Sequence, residues 1–220
     1  CYLYAAYMEY ANLEGANLEG AILSKANFHG ANLSYANLSN VNLFGTSFGD
    51  ANLEGANLEG TNLVYTNLED ANLSWANLEG ADLYQANLNY ATLSYANLSE
   101  AFLWGAGLER ANLSQANLSG ANLYSVFLVG ANLSGANLSQ ANLSGAYCYG
   151  AFFVAANLEY TQFDGADLTY AYFDENLDNY EDMSYDAGYD AGYVDGAESG
   201  DLNLDGVDNV LDVVILVNNI

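Results

Sequence analysis

The chain has 220 residues, 28 acidic side chains against two basic ones (Lys25 and Arg110), a formal net charge of −26 and no proline. That balance disfavours direct binding to nucleic acid or an anionic membrane surface, and it suits solubility, cation binding or a basic partner. Residues 1–175 hold no run of 18 apolar residues, so no membrane span is expected there.

From Cys1 to Glu175 the chain divides into 35 consecutive five-residue units without insertion or deletion. The commonest unit is Ala-Asn-Leu-Ser/Glu-Gly, as in Ala51-Asn52-Leu53-Glu54-Gly55. The central residue is Leu in 28 units and otherwise Met8, Phe28, Phe48, Cys148, Phe153, Phe163 or Phe173. The first residue is Ala in 28 units. A period of five matches neither the helical 3.6 nor the strand 2. It works if the chain bends after every unit, so that each unit is one short side of a coil and both Leu and Ala point inward. Repeats of this strictness mark a solenoid, in which each unit buries its apolar face only against its neighbours.

The pattern resembles the pentapeptide-repeat family, A(N/D)LXX, over residues 1–175. The resemblance implies an all-β solenoid, a right-handed quadrilateral β-helix with four units and 20 residues per coil. The 35 units then make about 8.75 coils, a rod on the order of 40 Å long at strand spacing.

Cys1 stands where a Met would begin an unprocessed chain, which reads as a processed chain or a fragment. Two readings of Cys1 stay open, a lipid-carrying mature terminus and the small inward residue of unit one; the second is the expectation. Cys148 takes a central position and is expected to be a buried thiol. The two cysteines lie about seven coils apart, roughly 34 Å, too far to pair within one chain. His29 has no Cys, Asp or Ser beside it at catalytic spacing. No nucleophile–base pair, phosphate loop or zinc motif occurs, so no enzymatic activity is expected. The recurrent Asn-Leu-Ser matches a glycosylation sequon, but the repeat itself generates it.

Positions 20 apart are expected to stack. Asn17, Asn37, Asn57, Asn77, Asn97, Asn117, Asn137 and Asn157 form an unbroken column suited to an amide ladder. An outward column on the first side reads Tyr4, Ser24, Phe44, Val64, Tyr84, Trp104, Tyr124, Ser144, Asp164. Further apolar residues gather at outward positions of coils six to eight: Phe102, Phe127, Val129, Tyr147, Tyr149, Phe152 and Val154. Exposed apolar patches usually mark contact surfaces. Three readings compete: the tail folds over the patch, a second copy or another protein covers it, or the rings form a ladder that stacks only on itself.

Residues 176–200 are read as a cap on the last coil followed by an acidic Tyr/Gly-rich linker. Residues 201–220 carry a sharper signal. Asp201, Asn203, Asp205, Asn209 and Asp212 fall at loop positions 1, 3, 5, 9 and 12 of a calcium loop, with Gly206 at the turn and the Val207 carbonyl at position 7. This ending resembles one half of a dockerin, with a short apolar helix after it, and implies a bound Ca²⁺. Such weak calcium modules suit an extracellular or cell-surface setting.

Two functions are weighed. The first is a secreted or cell-surface structural protein, a rigid acidic rod with a calcium-stabilised end. Its partner would be a second copy stacked head-to-tail into fibres, or another surface protein. The alternative comes from the family resemblance: a DNA-mimicking rod that binds DNA gyrase.

Overall fold

The computed structural model describes residues 3–173. Every second residue of a unit pairs in parallel with the residue 20 further on, from Tyr7 with Asn27 up to Phe152 with Tyr172. Four units therefore close one turn, and the turns stack in register into a four-sided β-helix. The register of 20 inferred from the sequence holds over these coils without a slip.

The unit Ala31–Tyr35 shows why five residues suffice. The Ala31 N–H donates to the Phe28 carbonyl (2.9 Å), closing a tight turn at the corner. The Asn32 N–H reaches back to Ala11 (2.9 Å), and the Leu33 and Tyr35 N–H groups reach forward to Asn52 (2.7 Å) and Glu54 (2.8 Å). The Ser34 N–H, which no neighbouring carbonyl serves, donates to the Asn32 side-chain Oδ1 (3.1 Å). All five donors of the unit are satisfied, one within the turn, three between coils and one by the asparagine. The second-position Asn is thus a backbone cap as well as a ladder residue.

Each corner residue is in the left-handed region, for instance Tyr35 at φ 58° and Gly55 at φ 63°. Positive φ at the third residue of a four-residue turn is the type II requirement, which explains the glycine so frequent at the fifth position. Corner side chains lean onto the next coil. A Cβ added to Gly55 would lie 2.6 Å from Tyr35 Cε1, and one added to Gly30 would lie 2.5 Å from Tyr10 Cε1. Glycine there makes room for the ring below it.

The core is the column of central residues. From Leu23 to Phe163 each is fully buried, and the first-position alanines pack between them. Alanine fits because the corner brings this position close to the next side of the coil. The threonines that replace it are buried too, and each hydroxyl finds a carbonyl, as Thr46 does at Leu23 (3.1 Å) and Thr161 at Leu138 (2.9 Å). Phenylalanines stack on one another, Phe28 on Phe48 at 5.1 Å and Phe153 on Phe173 at 5.1 Å. Cys148 is a buried free thiol, as its central position requires. Burial, with the carboxylate of Asp167 adding to it, pushes its pKa far above the ordinary thiol range.

Among the described residues no helix is long and apolar enough to cross a membrane. The cap and linker at 176–200 and the expected calcium ligands Asp201, Asn203, Asp205, Val207, Asn209 and Asp212 lie outside the described residues, as does Cys1.

Candidate functional site

With the first three positions of each unit committed to the core, the ladder and the backbone, chemistry facing solvent falls to the fourth and fifth positions. It falls also to those second positions where Asn has been replaced. On the first side these positions carry rings. Phe44 meets Tyr65 at 5.8 Å, Tyr65 meets Tyr84 at 5.7 Å, Tyr84 meets Trp104 at 5.5 Å, and Trp104 meets Tyr124 at 5.8 Å, with interplanar angles between 76° and 90°. Phe102 joins the edge of Trp104 at 6.4 Å. These are edge-to-face contacts within the favourable range. The result is one continuous ladder over five coils.

The structure brings Phe44, Tyr84, Phe102, Trp104 and Tyr124 together. It does so through Tyr65, which column reading missed. Val64 breaks the outward column, and the ring of Tyr65, the corner residue beside it, spans the gap. The other expected surface residues form separate groups. Phe127 stacks on Tyr147 on the second side (4.8 Å, 3°), and Tyr149 meets Tyr170 at 5.3 Å. Phe152 stacks on Tyr172 on the third side (4.7 Å, 6°). Trp75 and Tyr95 make a further stacked pair at corners of the third side (4.2 Å, 4°), absent from the sequence reading for the same reason as Tyr65. Their signal is a period of 20 at the fifth position, a column the outward-strand reading did not follow.

Despite these contacts the rings remain open to solvent. Trp104 is 44% exposed and Tyr124 43%, and Tyr147 and Tyr149 are each 47% exposed. Self-stacking therefore covers only part of each ring.

The fourth side is different. Its second positions run the amide ladder, Asn157 to Asn137 (3.1 Å), Asn137 to Asn117 (3.0 Å), Asn117 to Asn97 (3.1 Å), Asn97 to Asn77 (3.0 Å) and Asn77 to Asn57 (3.4 Å). Its outward positions hold Glu19, Glu59, Glu79, Glu100 and Glu159 and no aromatic before Tyr160. Before Tyr160, carboxylates thus stand without rings on the fourth side, whereas rings occur on each of the other three.

His29 sits outward, its Nδ1 3.5 Å from Asp50 Oδ2 and its ring edge-on to Tyr10 at 5.7 Å. No group of three or more His, Cys, Asp or Glu able to hold a metal ion occurs among the described residues.

A profile described as "Pentapeptide repeats (8 copies)" matches residues 1–40, 36–74, 66–105, 105–140 and 136–174. HetL from the cyanobacterium Nostoc sp. strain PCC 7120, a pentapeptide-repeat protein involved in heterocyst differentiation regulation, is 33% identical. That match covers 76% of this chain and 84% of HetL, with a TM-score of 0.36. Trypsin-treated QnrB1, a plasmid-mediated fluoroquinolone resistance protein, is 22% identical over 72% of this chain and 78% of its own, with a TM-score of 0.39. A pentapeptide-repeat protein of the Arabidopsis thaliana thylakoid lumen is 27% identical over 60% and 71%, with a TM-score of 0.26. No curated protein matches the chain significantly. With the 20-residue register, the inward Leu column and a profile match running from residue 1 to 174, the chain belongs to the pentapeptide-repeat family.

Proposed function

We propose that this protein is a secreted or cell-surface structural protein, a rigid acidic rod. It associates with other copies of itself or with another surface protein, and a calcium-binding C-terminal segment stabilises the assembly. The observation that carries this reading is the half-exposed ring ladder from Phe44 to Tyr124 on an otherwise strongly acidic rod. A chain of net charge −26 gains solubility from its acids, whereas a column of exposed rings works against solubility unless something covers it. The pentapeptide fold itself supplies rigidity and length, which is what a spacer or assembly element needs.

Electron microscopy and sedimentation in millimolar Ca²⁺ and in chelator test this reading. It expects assemblies in calcium that dissociate in chelator and are weakened by Tyr84→Ser with Trp104→Ser. Monomers under both conditions would end the assembly reading.

The acidic fourth side favours a second reading, a rod that mimics duplex DNA and binds DNA gyrase. Five of its eight coils carry an outward carboxylate, three of them consecutive (Glu59, Glu79 and Glu100), and the chain has only two basic residues to offset its acids. A supercoiling assay separates the two readings: inhibition of gyrase at micromolar protein supports mimicry, and full supercoiling activity at that concentration excludes it.

A further inference from the structure

The second-position column of the second side reads Asn67, Asn87, Gly107, Phe127, Tyr147, so one coil has no side chain where its neighbours do. Gly105 lies at the preceding corner, and the side chains of Gln85 and Asn89 lean over the two glycines, within 3.5 Å and 2.9 Å of where a Cβ would stand, to form the floor of an open cleft of about 320 Å³. Gln85, Asn87, Asn89, Glu109 and Phe127 line it.

The cleft has one apolar wall and a polar rim. Phe127 is stacked on Tyr147 on one side and 38% exposed. Asn87 is fully engaged in the repeat: its Nδ2 donates to Asn67 Oδ1 (3.1 Å) and Glu69 Oε2 (3.3 Å), and its Oδ1 accepts the Asn89 N–H (3.1 Å). The Asn89 Oδ1 accepts the Glu109 N–H (2.9 Å), a donor that Gly107 has no side chain to serve. That leaves Asn89 Nδ2, the Gln85 amide and the Glu109 carboxylate as groups without a protein partner among the described residues. The Asn87 and Phe127 levels are roughly 10 Å apart, two strand spacings, and the Asn89 amide lies over the glycine between them.

We infer that this cleft binds a single hexopyranose ring, neutral or amine-bearing, at the end of a glycan. A pyranose presents an apolar C–H face, which suits the ring of Phe127, and adjacent hydroxyls, which suit planar amide and carboxylate groups that donate and accept in pairs. An aromatic side chain would use the Phe127 wall but leave the three polar groups at the rim without a role. The Glu109 carboxylate in the cleft disfavours uronic, sialic and phosphorylated sugars by like-charge repulsion, the neighbouring Arg110 leaning away over Gly130 of the next coil. This site is independent of the ladder on the first side and of the assembly reading.

Saturation-transfer NMR on the full chain, with methyl glycosides of glucose, galactose, mannose and N-acetylglucosamine, glucosamine itself and methyl glucuronide, tests it. Transfer is expected from at least one neutral or amine-bearing sugar at millimolar concentration and not from the glucuronide. Gly107→Asn restores the common unit and supplies the cap to the Glu109 N–H, and its Cβ, 2.9 Å from Asn89 Oδ1, pushes the Asn89 amide out of its place in the cleft, so it is expected to weaken binding at least tenfold. Phe127→Ser is expected to do the same, whereas Tyr35→Ser, remote from the cleft, is expected to leave binding unchanged. The inference is overturned by absence of transfer from all these sugars, by binding indifferent to Gly107→Asn, or by equal binding of the glucuronide. Transfer from p-cresol alone would assign the cleft to an aromatic side chain and overturn it too.

Discussion

Asn97 and Asn77 are joined Nδ2 to Oδ1 at 3.0 Å, one coil apart, and the same Asn97 amide also caps the backbone of its own unit. Its Oδ1 accepts the Ser99 N–H (3.2 Å) and hydroxyl (2.8 Å) and the Asn117 Nδ2 (3.1 Å). One side chain therefore ties its coil to the coils on either side and satisfies a donor that the β-helix register cannot reach. Asn97→Ala is expected to destabilise the rod by about 1–3 kcal/mol, because the Ser99 N–H and two ladder partners lose their group at once. Asn97→Asp keeps the cap, as native Asp82 does for the Tyr84 N–H (3.1 Å), but loses the donor to Asn77. It should fall between Ala and wild type in urea unfolding. Equal stability of all three would show that the ladder contributes nothing.

Gly55 and Gly80 separate two costs of a corner side chain. Both have positive φ, 63° and 61°, but Tyr35 crowds the first and nothing lies within 4 Å of the second. Gly80→Ala is expected to cost about 1 kcal/mol, the left-handed backbone penalty. Gly55→Ala should cost more, and Tyr35→Ser should recover the excess in a double-mutant cycle. A Gly55→Ala penalty that persists undiminished in the Tyr35→Ser background would refute ring crowding as its cause.

Cys148 makes a pH-dependent prediction. Its thiol is held neutral by burial in the fold, whereas the unfolded chain loses that proton above about pH 8.5. Above that pH the unfolded state binds fewer protons than the folded one, so stability must fall as pH rises, by up to about 1.4 kcal/mol per pH unit from this group. Cys148→Leu, which restores the common central residue, should remove that component of the slope. Parallel stability–pH curves for the two proteins would contradict the assignment. In the folded protein the thiol should resist a disulfide reagent at pH 8 and react once urea unfolds the rod.

The proposed calcium loop predicts a calorimetric difference. The full chain should take up Ca²⁺ with a dissociation constant on the order of 10⁻⁴–10⁻³ M, as weak extracellular modules do. Asp201→Ala with Asp205→Ala should abolish the uptake, since two charged ligands of one loop are lost. Identical titrations would remove those residues from any metal site.

The period of five was enough to determine a coiled chain with nearly every central side chain buried, and the resemblance to the pentapeptide-repeat family supplied its four sides and 20-residue register. The burial follows because bending the chain after every unit is what lets Leu at each fifth position face one continuous core. The asparagine column became legible once that register was applied, because residues 20 apart then stack. The sequence also pointed to Phe44, Tyr84, Trp104 and Tyr124 as outward rings. Only the tertiary structure decided that Tyr65 links Phe44 to Tyr84 and that Trp75 packs on Tyr95. Corner side chains leave a left-handed residue at an angle a linear column does not express, and they lean onto the coil above. It alone showed that the second-position Asn caps its own backbone, since that role depends on which N–H the coils leave unpaired. The cleft at Gly107 was hidden likewise: a glycine in a sequence is only an absent side chain, and the coils decide that Asn89 leans over it while Asn87 and Phe127 stand on either side.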